Sequence, residues 1–169
     1  MIPAYIALGS NLQDPIHQLR SAVIAIGTLP HSYVEHTSSV YRSTAVGPGT
    51  QPDYLNAVVL LNTDLLPLQL LDALQQIEQA QGRVRNVRWG ARTLDLDILL
   101  FGDQQIHNSR LTVPHSAMAQ RNFVLYPLAE ISSANLVLPD GTVLDTLVTA
   151  CPRGELEQTN LQLQPDQCP

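Results

Sequence analysis

The chain has 169 residues, 44% of them hydrophobic, enough for one compact domain with its own core and too few for two full domains. Its net charge of -6 argues against a protein that wraps nucleic acid with its whole surface, although an anionic small molecule remains compatible with locally clustered basic residues. All nine basic residues are arginine, and the absence of lysine excludes both a P-loop and a protein-kinase site, each of which needs one.

In chain order, residues 3–9 read as a buried strand ending in a Gly9-Ser10-Asn11 turn. Asp14 is placed to cap a helix with Pro15 at its first position, with Ile16, Leu19, Val23 and Ile26 as its apolar stripe. Residues 33–43 suggest one strand with a polar face, and residues 54–63 another. The loop between them, Thr44 to Pro52, is a candidate substrate-covering element. Asn11 lies where a ligand-facing loop would begin. Asn56 sits among apolar residues, where its amide must be hydrogen-bonded either to backbone or to a flat ligand with an amide edge.

Pro67 opens a second helix over residues 67–81, with Leu70, Leu71, Leu74 and Ile77 as its stripe and Gly82 at its end. The order strand, helix, strand, strand, helix, strand describes a ferredoxin-like α/β (α+β) sandwich: an antiparallel sheet with these two helices on one face. Beyond it come a short hairpin-like piece, an extended loop with Pro114 and His115, and a helix around residues 123–131. A last hairpin is expected over Leu136–Leu147, about the Pro139-Asp140-Gly141 turn. Residues 1–151 form the expected domain and 152–169 a polar tail that frays. Cys151 and Cys168 lack metal-ligand spacing and read as incidental thiols. No apolar run approaches the roughly 20 residues of a membrane span, and there is no leader pattern, so a cytoplasmic monomer without membrane or nucleic-acid partners is expected.

The chemistry concentrates in Arg83–Phe101, which holds Arg83, Arg85, Arg88, Arg92, the single Trp89, Asp95 and Asp97. Strand alternation puts Asp95, Asp97 and Thr93 on one face and Leu94, Leu96, Ile98 and Leu100 on the other. Two carboxylates about 7 Å apart on one face repel each other unless a cation sits between them. Magnesium suits an oxygen-donor site shared with phosphates, and arginines supply bidentate phosphate donors. Together these groups indicate phosphoryl transfer.

Arg88–Gly102 (RWGARTLDLDILLFG), with IALGSNL at 6–12, DYLNAVV at 53–59, QGRVR at 81–85 and LTVPH at 111–115, closely resembles the 6-hydroxymethyl-7,8-dihydropterin pyrophosphokinase family of folate biosynthesis, over about residues 4–130. The resemblance implies diphosphate transfer from MgATP to the hydroxymethyl group of a reduced pterin, with release of AMP. By the same resemblance, Asp95 and Asp97 would hold two magnesium ions, and Arg83 and Arg92 would clamp the phosphates. Nucleotide contacts would come from Glu78, Arg85, Trp89, Ile98, Arg110, Thr112, His115 and Arg121. Asn56 would read the aminopyrimidinone edge, and the pterin would stack between Tyr54 and Phe123. Backbone contacts would come from Ser43, Thr44, Ala45 and Val46, with Asn11, Trp89 and Asp95 completing the pterin site. This chain departs from many relatives in having Ser43-Thr44-Ala45-Val46 where consecutive prolines occur, and Ser116 where some carry tyrosine.

Two other readings share parts of this pattern. A non-catalytic ferredoxin-like module would not require the aspartate pair, and an RNA-binding sheet would normally expose aromatics on its central strands. A metal-dependent nucleotidyl transferase would use paired aspartates but release pyrophosphate rather than AMP.

Overall fold

The structure, a computed structural model, describes residues 1–45, 50–82, 93–133 and 135–164. The expectations for Val46, Arg83, Arg85, Trp89 and Arg92 lie outside these residues, as do residues 46–49 of the covering loop and the basic segment 83–92.

Strand β1 (Ile2–Ser10) leads through a turn into helix α1 (Pro15–Gly27). Pro15 begins the helix as expected, but Asp14 does not cap it: its backbone is left-handed (φ 61°) and its side chain makes no capping bond. The single strand expected over residues 33–43 is two, β2 (Ser32–Thr37) and β3 (Tyr41–Ser43). Both pair with the long strand β4 (Tyr54–Thr63), and the break at Ser38 is closed by its own groups: its N–H donates to Val58 O, and its Oγ accepts from Val58 N. Helix α2 (Pro67–Ala80) follows, then β5 (Asp95–Phe101). A small hairpin, β6 (Ile106–His107) with β7 (Thr112–Val113), precedes α3 (Asn122–Ile131).

The sheet order β5-β1-β4-β3, with every neighbouring pair antiparallel, is the ferredoxin-like order. Alternation sorts the apolar residues into two layers. Ala4, Ile6, Leu8, Val59, Leu61, Leu94, Leu96 and Ile98 pack under α1 and α2, while Val58, Leu100, Leu125 and Leu128 belong to a second cluster on the side of α3. Both faces are therefore covered, not only the one under the first two helices. Leu100 also leaves the face expected for it. Leu99 is an extra residue where Tyr5 pairs with Leu100 and Ile6 with Ile98; this bulge reverses the alternation, so Leu100 joins the α3 layer and Phe101 returns to the other.

Two further expectations change in the last third of the chain. The hairpin forms about the expected Pro139-Asp140-Gly141 turn, with Val137 bridging Val143, Leu138 N–H on Thr142 O and Leu144 N–H on Leu136 O, but it is shorter than 136–147: residues 144–150 coil into helix α4 (Leu144–Ala150), whose Leu144 packs in the second cluster. The segment after Cys151 is packed rather than frayed over its described residues, 152–164. Strand β8 (Glu157–Gln158) pairs with β3, Thr159 bonds Val40 O through both N–H and hydroxyl, and Leu156 and Leu163 are buried. Its composition is polar, but Leu163 packs in the cluster under α1 and α2 and Leu156 is buried.

Candidate active site

Register brings the site together. Asn56 of β4 faces Gly9 of β1, which faces Asp95 of β5; one step along, Val58 faces Ala7, which faces Asp97. Directly opposed residues in antiparallel strands share a face, so Tyr54, Asn56, Asp95 and Asp97 stand on the α3 side at one end of the sheet. Gly9 leaves the floor between Asn56 and Asp95 bare. A β-carbon there would lie 3.6 Å from Asn56 Oδ1 and 3.8 Å from Tyr54 Cδ1. A glycine inside a strand marks such a close approach, and that signal is readable in Ile6–Leu12.

Asn56 is 4% exposed, and its Nδ2 donates to the Tyr41 carbonyl (3.3 Å) and to Ser43 Oγ (2.8 Å). Asp95 and Asp97 are half-buried, with Leu96 between them packed into the opposite layer. The edge of β5 is fixed by Glu78, a carboxylate on α2 that is 2% exposed and accepts the Leu96 N–H at 3.0 Å. Glu78 therefore holds the peptide linking the aspartates to α2. Ser10, wholly buried, donates from Oγ to Thr93 O and ties the β1 turn to the start of β5.

His115 stands on the aspartate side, its N–H bonded to Leu99 O at 3.0 Å and its ring within the field of Asp97. Burial lowers its pKa; Asp97 opposes that effect and Arg121 reinforces it. Nδ1 accepts the Ala117 N–H at 3.1 Å, so the neutral ring carries its proton on Nε2, a donor suited to phosphate oxygen. The Arg121 guanidinium lies over the Phe123 ring, 5.7 Å from its centroid, at the start of α3.

The other expected residues have the following surroundings. Ile98 points its side chain into the layer under α1 and α2, so only its backbone is at the strand edge. The Arg110 guanidinium pairs with Asp72 of α2 at the exposed surface, and Thr112 is exposed on β7. Asn11 is buried and donates to Pro52 O at 3.1 Å, which anchors the end of the covering loop. Thr44 is exposed and Ala45 half-buried.

The donor set fits magnesium: two carboxylates on one strand face, with the buried Thr93 hydroxyl beside them lacking a partner among the described residues. Magnesium is held by one or two carboxylates, with phosphates and water completing its shell. Among the described residues no third acidic, histidine or cysteine ligand clusters with them.

A family model described as 7,8-dihydro-6-hydroxymethylpterin-pyrophosphokinase matches residues 5–133. The 2-amino-4-hydroxy-6-hydroxymethyldihydropteridine pyrophosphokinase of Haemophilus influenzae is 56% identical over 148 residues, 88% of this chain and 92% of that protein. The protein of the same name from Pseudomonas aeruginosa is 52% identical over 154 residues, 91% of this chain and 94% of that one. Among solved structures, the Plasmodium falciparum HPPK-DHPS wild type with pteroate superposes with a TM-score of 0.68 at 12% identity, over 88% of this chain and 44% of that longer one, and so shares the fold. With more than half its length matched and relatives above 50% identity along almost their whole length, this chain belongs to the 6-hydroxymethyl-7,8-dihydropterin pyrophosphokinase family.

Proposed function

We propose that the chain transfers diphosphate from MgATP to the hydroxymethyl group of 6-hydroxymethyl-7,8-dihydropterin, a step of folate biosynthesis. The observation that carries this reading is the row Asn56-Gly9-Asp95 with Asp97 beside it: a flat floor lies between an amide that reads a heterocycle and a carboxylate pair that suits a metal.

In this reading the pterin lies over Gly9 with its aminopyrimidinone edge on Asn56, and its hydroxymethyl group is directed toward β5. The alcohol oxygen bonds to the β-phosphorus as the bond from that phosphorus to the α,β-bridging oxygen breaks, and AMP leaves with that oxygen. Asp97 is the nearest group to receive the alcohol proton. Asp95 and Asp97 would hold two magnesium ions, which would supply charge neutralisation on the phosphate oxygens. His115 Nε2 and Arg121 supply donors to the nucleotide, while Glu78 fixes the strand that presents both aspartates. Arg83 and Arg92 clamp the phosphates, Arg85 and Trp89 contact the nucleotide, and Arg110 and Thr112 flank it. Phe123 and Tyr54 stack on the ring. Catalysis is then mostly alignment and charge neutralisation, and no covalent enzyme intermediate is required.

The protein is proposed to act as a cytoplasmic monomer; no helix among the described residues is long and apolar enough to cross a membrane. The test is product analysis with MgATP, with and without the pterin, the nucleotides being separated by ion exchange. AMP formed only when the pterin is present supports the reading. ADP would mean transfer of a single phosphoryl group, and no nucleotide product from folded protein would leave a binding module.

A further inference from the structure

Helix α2 carries three polar side chains spaced three residues apart, Asp72, Gln75 and Glu78, along one flank. At the end of that flank Glu78 accepts the Leu96 N–H and holds the strand that presents Asp95 and Asp97. Nearly two turns earlier, Asp72 Oδ1 accepts from Arg110 Nη2, with Gln75 Oε1 a longer contact at 3.5 Å.

The backbone of Arg110 is fixed separately. Asn108 Oδ1 accepts the N–H groups of Arg110 and Leu111, both at 2.9 Å, in an Asx turn. The Asn108 N–H closes on Leu111 O at 3.1 Å, and the Leu111 side chain is buried in the layer under α1 and α2. The freedom that remains is that of the arginine side chain, one of the largest rotamer entropies of any residue. Asp72 restricts it while engaging only Nη2. Among the described residues Nε and Nη1 have no hydrogen-bond partner, so both keep donors for a ligand. The two side chains are 44% and 53% exposed, and an exposed ion pair adds little to the stability of a fold.

We propose, on the functional reading above, that Asp72 is a positioning residue for the nucleotide, holding the Arg110 guanidinium in place before ATP arrives. Binding then does not have to order that side chain, a saving that corresponds to roughly two- to tenfold in affinity. One flank of α2 thereby sets two parts of the nucleotide site, the aspartate strand through Glu78 and the arginine through Asp72. A carboxylate that instead competed with ATP for Arg110 would act with the opposite sign.

The experiment measures kcat for AMP release and KM for ATP and for the pterin in the wild type, Asp72→Ala, Arg110→Ala and the double variant. Asp72→Ala raises the KM for ATP roughly two- to tenfold, while kcat and the KM for the pterin stay near the wild type. In the Arg110→Ala background the same replacement changes the KM for ATP by less than about twofold, because no guanidinium is left to place. Asp72→Asn, which keeps an oxygen acceptor at the same reach, lies closer to the wild type than Asp72→Ala does. A KM for ATP in Asp72→Ala that is unchanged or lowered overturns the proposal, and so does a rise that persists in full without Arg110.

A substrate-free readout separates this claim from the functional one. By NMR relaxation, the Arg110 Nε–H is ordered in the wild type and loses that order in Asp72→Ala. Wild-type protein that releases no AMP with the pterin counts against the proposed function, whereas equal Arg110 Nε–H order in the two proteins counts against the positioning role of Asp72.

Discussion

Asp95 and Asp97 are presented by a strand whose intervening residue, Leu96, is anchored twice, by its side chain in the core and by its N–H on Glu78. Replacing a half-buried aspartate at that end leaves both anchors in place. Asp97→Ala should therefore lower kcat for AMP release by roughly 100-fold or more while the thermal midpoint stays near that of the wild type. Near-normal turnover would remove Asp97 from the mechanism. Tyr41 offers a pH test away from the carboxylates. Burial raises its phenol pKa well above the usual value, aided by the hydrogen bond to Glu130 and that residue's charge, with Arg153 opposing. Because the folded protein holds this proton more tightly than the unfolded chain, the stability it contributes is complete below about pH 10 and is lost as pH rises through the raised folded value. Urea midpoints in alkaline buffer should fall less steeply with pH in Tyr41→Phe than in the wild type.

At the scale of elements, β3 is the shortest strand of the central sheet that touches the site, with three residues, and it is held between β4 and β8. The C-terminal segment is thus part of the support for Asn56. Leu163, 2% exposed, anchors that segment in the layer under α1 and α2, and Arg20 Nε on α1 donates to Gln162 O at 3.0 Å. Leu163→Ala should cost about 2–5 kcal/mol in urea unfolding. A loss below about 0.5 kcal/mol would show that the segment is not packed in solution. In the same variant the amide protons of β3 should exchange faster than those of β1, since only β3 loses an outer neighbour.

For the molecule as a whole, two apolar layers share one sheet. Leu19 lies in one and Leu125 in the other, both fully buried. The central strands β1 and β4 contribute residues to both, through Ile6 and Val59 on one side and Ala7 and Val58 on the other. A defect in either layer is therefore transmitted to the same strands. Leu19→Ala and Leu125→Ala should each cost about 2–5 kcal/mol and shift one common transition, with far-UV and near-UV circular dichroism changing together. Separate transitions in Leu125→Ala would mean that the α3 layer unfolds on its own.

The sequence by itself determined the split order of strands and helices through residue 101, because apolar periods of two and of about four residues are local properties. It also determined the donor types of the site, since Asp95, Asp97, Asn56 and His115 carry their chemistry wherever they are placed. The tertiary structure alone decided which of these groups meet. Asn56 and Asp95 are 39 residues apart and share a row only because β1 lies between their strands with Gly9 in register. It also decided that the break at Ser38 splits one expected strand into two, that the Leu99 bulge turns Leu100 to the other face, and that a polar-looking C-terminal segment becomes an edge strand. In each case the deciding energy is a long-range hydrogen bond or the filling of an apolar gap, and neither is written in the residues on either side of the position it decides.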